Sequence, residues 1–376
     1  MTIQQSCSVV AFLSATVFLP ASALAAPKDQ ETNLKAAAMA PMDGASAEKL
    51  IAQWPNRPKL GAQQMIAQYG MPQEATSERL TWLNQGKFKR IVVTKEENPH
   101  DFPKPHMDYI QHIISYQVPA AKAGALAEYD GSLTYDRTVG EMAARCDLEG
   151  HNILTLNLAH DIVTGKKSAE DARKAFGQNV VDDVMGKMPA YVTALQFEPP
   201  SQTADADKPT MPGAPKRVTK AAGKDAELDD AAILSMIIAV DENEVVAASE
   251  AERRKLRPEV LAYAKMLHKA HGKSADDTMK LGQKINTTPT DTAVVEELRM
   301  KGAGELAAIV PMEGDEFGRA YVDAMVKGHT DVLATIDNKL LKSVKSEALK
   351  KHLTETRAHV AHHLDEAKKL QANAKR

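Results

Sequence analysis

The spacing of hydrophobic positions changes partway along the chain. In its C-terminal two-fifths they recur every three or four residues, the period of an amphipathic helix. Ile233, Leu234, Ile237, Ile238, Val240, Val245 and Ala248 mark a first helix. Val260, Leu261, Ala264, Leu267 and His271 mark a second, which Pro258 opens as a first-turn residue. A shorter helix over residues 292–309 leads to a third over 315–341 and a fourth over 346–374. Four long helices with short connections predict a four-helix bundle over residues 225–376.

Upstream, the periods are mixed. Leu60, Met65, Ile66 and Tyr69 share a helical face that Gly70 can terminate, and residues 79–84 and 87–96 flank a Gln85-Gly86 turn as a hairpin would. Residues 109–118 read as a further strand, 119–129 as a short helix, 132–138 as a strand, and 141–165 as largely helical. Residues 46–198 therefore form a small α+β domain. Pro199, Pro200, Pro209, Pro212 and Pro215 lie among small and polar residues, so 199–224 reads as a semi-extended linker. The expected fold class is mainly α: a small α+β N-terminal domain followed by a helical bundle.

Residues 1–25 contain no Asp, Glu, Lys or Arg, and an apolar run over 9–19 ends at Pro20 before Ala23-Leu24-Ala25. This is the pattern of a secretory signal peptide cleaved after Ala25, and the run is too short for a stable membrane anchor. The expected location is periplasmic, with no transmembrane span in the mature chain and residues 26–45 as a mobile arm. Cys7 falls within the signal, which leaves Cys146 as the one remaining thiol and forbids an intrachain disulfide.

Composition narrows the function classes. Lys and Arg number 47 against 50 Asp and Glu, a net charge of −3, so no global field favours nucleic acid as a partner. No His-Glu-x-x-His, Gly-x-Ser-x-Gly or Cys-x-x-Cys occurs, so zincin, serine-hydrolase and zinc-ribbon chemistry lack their residues.

The histidines carry more information. Phe317, Tyr321, Met325 and His329 recur every four residues, which turns His329 towards the helix's apolar side. His271 follows Leu267 by four, His363 follows His359 by four, and Glu244 follows Val240 by four. One inward polar residue from each of four helices is how metal sites are built in bundle cores. Glu244, His271, His329 and His363 are thus the candidate metal ligands, a His-rich set suited to zinc, copper or nickel. The competing reading makes them core histidines satisfied by hydrogen bonds to neighbouring helices. A secondary candidate set is His100, His106 and His112, in and beyond a loop stiffened by Pro99, Pro103 and Pro105. Cys146 has His151 five residues on, and reads as a buried, unreactive thiol.

With Asn243-Glu244-Val245, Pro258-Glu259-Val260, His271 followed by Ser274, the stretch from Phe317 to His329, and His363-Leu364, the second unit resembles the bacterial exported domain-of-unknown-function 4142 family of ferritin-like four-helix bundles. The resemblance implies a ferritin-like bundle in the cell envelope, with the family's helical histidines at His271, His329 and His363. The chain departs from the family pattern at Ala270 and Gly318, where Asp is usual. The resemblance implies no reaction, and no Glu-x-x-His occurs in this unit to support a di-iron centre. The leading expectation is a non-enzymatic envelope protein that binds a partner or small ligand. The alternative is a periplasmic metal-binding or redox protein using the bundle residues, and an enzyme built on the His100 loop or Cys146 ranks behind both.

Overall fold

The structure is a computed structural model that describes residues 44–217 and 228–374. The residues read as a signal sequence, nearly all of those read as an N-terminal arm, and the end of the Pro-rich stretch lie outside the described residues. The chain divides into two compact units, with the boundary between Asp207 and Lys208.

The first unit begins with α1 (Gly44–Ile51) and α2 (Asn56–Tyr69), followed by strands β1 (Glu74–Ala75), β2 (Arg79–Gln85), β3 (Phe88–His100) and β4 (His106–Ser115). A short 3-10 turn leads into α3 (Ala123–Tyr129), then β5 (Thr134–Asp136), β6 (Glu141–Cys146), α4 (Glu149–Val163), α5 (Ala169–Val184) and α6 (Ala190–Thr193). The six strands form one sheet in the order β1-β2-β3-β4-β6-β5, antiparallel throughout. Register places Leu80, Val93, Ile110 and Cys146 in one row across it, and Trp82, Ile91, His112 and Ala144 in the next. All eight are buried. Helix α4 packs on β4 and β6 and is buried along most of its length, with Asn152 Nδ2 donating to the Ile110 carbonyl at 2.9 Å.

Two features depart from the sequence reading. Residues 141–146 are a strand, not the start of a helix. Glu-Met-Ala-Ala-Arg-Cys has helical propensity, but β6 pairs with β4 on one side and β5 on the other and is buried on both faces. A strand covered on both faces shows no alternation for a pattern to detect. The Pro-rich stretch is also partly docked: Thr203 is buried and donates to the Gly140 carbonyl at 2.7 Å, and the Asp205 amide donates to the Arg137 carbonyl at 2.8 Å.

The second unit opens with β7 (Lys216–Arg217), followed by α7 (Asp230–Glu252), α8 (Pro258–Lys284), β8 (Thr290–Asp291), α9 (Ala293–Ile309) and α10 (Gly314–Thr335). A π-helical turn at Ile336–Leu340 and the short α11 (Leu341–Ser343) lead to α12 (Glu347–Ala374). Asp229 caps α7 by accepting from the Ala232 amide, and Thr292 caps α9 through the Val295 amide. Helices α7, α8, α10 and α12 form the bundle and α9 lies against α7 and α10. The core has two apolar halves. One contains Ala248, Val260, Leu267, Phe317, Tyr321 and Ala367; the other contains Ile233, Ile237, Ile336, Leu340, Leu349 and Leu353. Between these halves each helix buries one of the polar residues Asp241, His271, His329 and His363.

Candidate metal centre

Helices α8 and α10 deliver their polar residues by the same local logic. His329 stands one turn beyond Met325 on the buried stripe of α10, and His271 one turn beyond Leu267 on α8. The three rings of His271, His329 and His363 meet edge to face, with centroids 5.1 Å apart for His271 and His363, 5.6 Å for His329 and His363, and 5.8 Å for His271 and His329. One ring nitrogen from each lies within 4.8 Å of the other two.

Hydrogen bonds define which nitrogens are free. His271 Nδ1 is 2.7 Å from Asp241 Oδ1, and His329 Nδ1 donates to the Met325 carbonyl at 2.8 Å. Among protein atoms, His271 Nε2, His329 Nε2 and His363 Nδ1 are buried with no hydrogen-bond partner, as are Glu244 Oε2 and Tyr321 Oη. Buried polar atoms are nearly always paired, so five unpaired atoms from four neighbouring helices call for a specific account. A histidine that binds metal through one nitrogen characteristically donates the other to a carboxylate or carbonyl, which fixes ring orientation and tautomer. Asp241 and the Met325 carbonyl stand in those positions.

Glu244 is not a member of the 4.8 Å set. Its carboxylate lies beside α10, where a Cβ at Gly328 would come 3.7 Å from Oε1, and it acts electrostatically on His271 and His329. The structure therefore brings three of the four sequence candidates together and leaves the fourth alongside. Burial pushes His363 down to about 3, reinforced by His271 and His329, and burial likewise lowers His329 against the pull of Glu244. For His271 burial is outweighed by Asp241 and Glu244, and its pKa stays above the ordinary histidine value. Two of the three rings are thus held neutral, the form that binds metal.

A cavity of about 510 Å³ adjoins the cluster, with Glu244, His271, Tyr321 and His363 among its lining residues and Met236 and Leu306 on its apolar walls. Asp241 is the residue that sequence reasoning missed. Its only signal was a charge directly after the apolar run from Ile233 to Val240.

Of the secondary histidines, His100 and His106 come together with Asp108, one donor atom of each lying within 4.8 Å of the others, and His112 stands apart. His100 ends β3 and His106 begins β4, so they are cross-strand partners and not loop residues. His112 lies elsewhere on the sheet, where its Nδ1 meets Asn152 Nδ2 at 3.0 Å and its Nε2 lies 3.3 Å from a Glu149 carboxylate that also accepts from Tyr69. His112 is therefore not part of a site with the other two. Its place is taken by acids and the thiol, as His106 Nε2 is 3.1 Å from Asp108 Oδ1 and 3.3 Å from Cys146 Sγ. Burial, with Asp147 close by, pushes the Cys146 thiol well above its usual range, which opposes its use as a thiolate nucleophile.

Among known proteins, residues 215–370 match the model of a family described as a domain of unknown function (DUF4142). The first unit has no family assignment. No curated protein and no solved structure matches the chain. Among the described residues, no helix is long and apolar enough to cross a membrane.

Proposed function

We propose that the second unit is a transition-metal-binding bundle that holds zinc, copper or nickel through His271, His329 and His363. The observation that carries this reading is the convergence of three imidazoles whose unpaired nitrogens remain after Asp241 and the Met325 carbonyl have taken the opposite edges. Three histidines are a known protein set for metals with an open coordination position, and imidazole suits all three ions. Glu244 is placed to neutralise the ion's charge or to close the shell after a side-chain rotation. The adjoining cavity gives an open position room for a small ligand, which joins the metal-binding reading to that of a ligand-binding protein. Export to the periplasm, proposed from the N-terminal sequence, would place this site in the cell envelope.

The test is equilibrium dialysis of the tag-free protein against zinc, copper or nickel followed by elemental analysis, beside a His271→Ala/His329→Ala variant. The reading expects one equivalent of bound metal fewer in the variant, with unchanged helical circular dichroism. Equal metal content in the two proteins would sink it.

A further inference from the structure

The first unit carries a second constellation that the bundle site does not involve. Cross-strand pairing of His100 with His106 and the alternation of β4 place His106 and Asp108 at one end of the sheet, beside Cys146 at the end of β6. Asp147 follows immediately, in the turn before α4. Around His106 the donor atoms are unusually close: Nε2 is 3.1 Å from Asp108 Oδ1 and 3.3 Å from Cys146 Sγ, and Cys146 Sγ is 3.3 Å from Asp147 Oδ1. In a tetrahedron with bonds of 2.0–2.3 Å, neighbouring ligand atoms are about 3.3–3.7 Å apart. One atom from each of His106, Cys146 and Asp147 lies within 4.8 Å of the others.

Asp108 Oδ2 has His100 Nδ1 at 3.3 Å and Arg145 Nε at 4.0 Å, and its Oδ1 faces His106. His106 Nδ1 is 2.8 Å from the Lys104 carbonyl and donates to it, so in the neutral ring Nε2 carries the lone pair. That lone pair faces Asp108, which is 2% exposed and whose Oδ1 is buried without a hydrogen-bond partner. With the ring neutral, two acceptors would face each other across 3.1 Å, and in the metal-free protein the hydrogen bond to Asp108 raises the His106 pKa so that a proton fills the gap. A metal cation held between them and the thiol takes the place of that proton.

We infer that His106, Cys146 and Asp147 form a site for a thiophilic divalent cation, zinc by the chemistry of its donors, with the Asp108 carboxylate beside the metal-facing Nε2 of His106. The set mixes one sulfur, one imidazole nitrogen and one carboxylate oxygen, which suits tetrahedral zinc. Binding replaces the Cys146 S–H bond with a sulfur–metal bond and releases the proton to solvent. The Asp147 side chain retains about a third of its exposure and gives the ion a way in. The site is independent of the bundle histidines.

Cobalt(II) titration of the full chain tests this, because a cobalt–thiolate bond gives a near-ultraviolet charge-transfer band that imidazole and carboxylate ligands do not. A Cys7→Ser chain removes the other thiol. The expected result is one equivalent of cobalt with the thiolate band, displaced by zinc, present in Cys7→Ser and in His271→Ala/His329→Ala. The band should be absent from Cys146→Ser and weakened at least tenfold in affinity in Asp147→Asn, a variant that keeps the thiol and its packing. No thiolate band in the Cys7→Ser chain, or full affinity in Asp147→Asn, would overturn the assignment and leave a proton on His106 as the bridging charge.

Discussion

Asp241 on α7 holds Nδ1 of His271 on α8 at 2.7 Å, with both side chains buried in the stratum between the two apolar halves of the bundle. A carboxylate and an imidazole removed from water are costly unless well paired. The pairing here uses one edge of each group and leaves Asp241 Oδ2 and His271 Nε2 unsatisfied. The arrangement is thus poorly explained as structural glue and well explained as the outer layer of a metal site.

The first prediction concerns that pair. Asp241→Asn keeps the side-chain volume and one hydrogen bond to His271 but removes the charge that orients the ring and raises its basicity. Metal affinity should fall by about 10- to 100-fold, the usual effect of losing such a partner. Competitive titration with a chromophoric chelator measures it, and an unchanged affinity would remove Asp241 from the site.

A second prediction separates function from stability. His363 Nδ1 is buried and unpaired, so His363→Leu replaces an unsatisfied polar group with an apolar one of similar size. Urea unfolding of the metal-free protein should show stability within about 1 kcal/mol of the parent, or higher. The metal-dependent gain in stability should disappear in the same variant. A loss of several kcal/mol without metal would instead make His363 a structural core residue.

The first unit should be sensitive to acid through His160. Its Nδ1 is 2.9 Å from Tyr116 Oη and its ring stacks on Phe197 with centroids 4.1 Å apart. Burial lowers its pKa, with Lys166 adding to the effect. Because the folded value lies below the unfolded one, near 6.5, the unfolded chain takes up the proton first as pH falls. The contribution is therefore fully present above about pH 6.5 and is lost as pH drops towards the folded value. Thermal melts of the parent and His160→Gln between pH 7.5 and 5 should diverge in slope, with the variant the flatter; parallel slopes would contradict this.

Gly140 has φ +74, and a Cβ there would come 2.3 Å from the carbonyl carbon of Thr203. Both the left-handed backbone and the close approach of residues 199–207 require glycine. Gly140→Ala should destabilise the first unit by about 2 kcal/mol or more and expose residues 199–207 to limited proteolysis. Parent-like resistance would show that this segment is not held as described.

Much of the architecture is legible in the sequence because α8, α10 and α12 display their buried stripes at helical spacing. His271, His329 and His363 continue those stripes, so their inward direction follows from arithmetic on the helix. Asp241 was harder to see, since α7 is apolar on most sides between Ile233 and Ala239 and gives no single face from which to judge a charge. In the first unit the sheet decides. β6 lacks alternation because both of its faces are covered, and the meeting of His106 with Cys146 and Asp147 depends on strand register across β3, β4 and β6. Residues 40 positions apart come together there by pairing, which no local pattern encodes.

Binding of one metal ion by three imidazoles in the bundle can be read by X-ray absorption at the zinc edge, on a Cys146→Ser chain loaded with one equivalent. The spectrum should show nitrogen and oxygen scatterers at about 2.0 Å with multiple scattering from about three imidazoles, lost in His329→Ala. A spectrum of oxygen ligands without imidazole scattering, or one unaltered by His329→Ala, would contradict it.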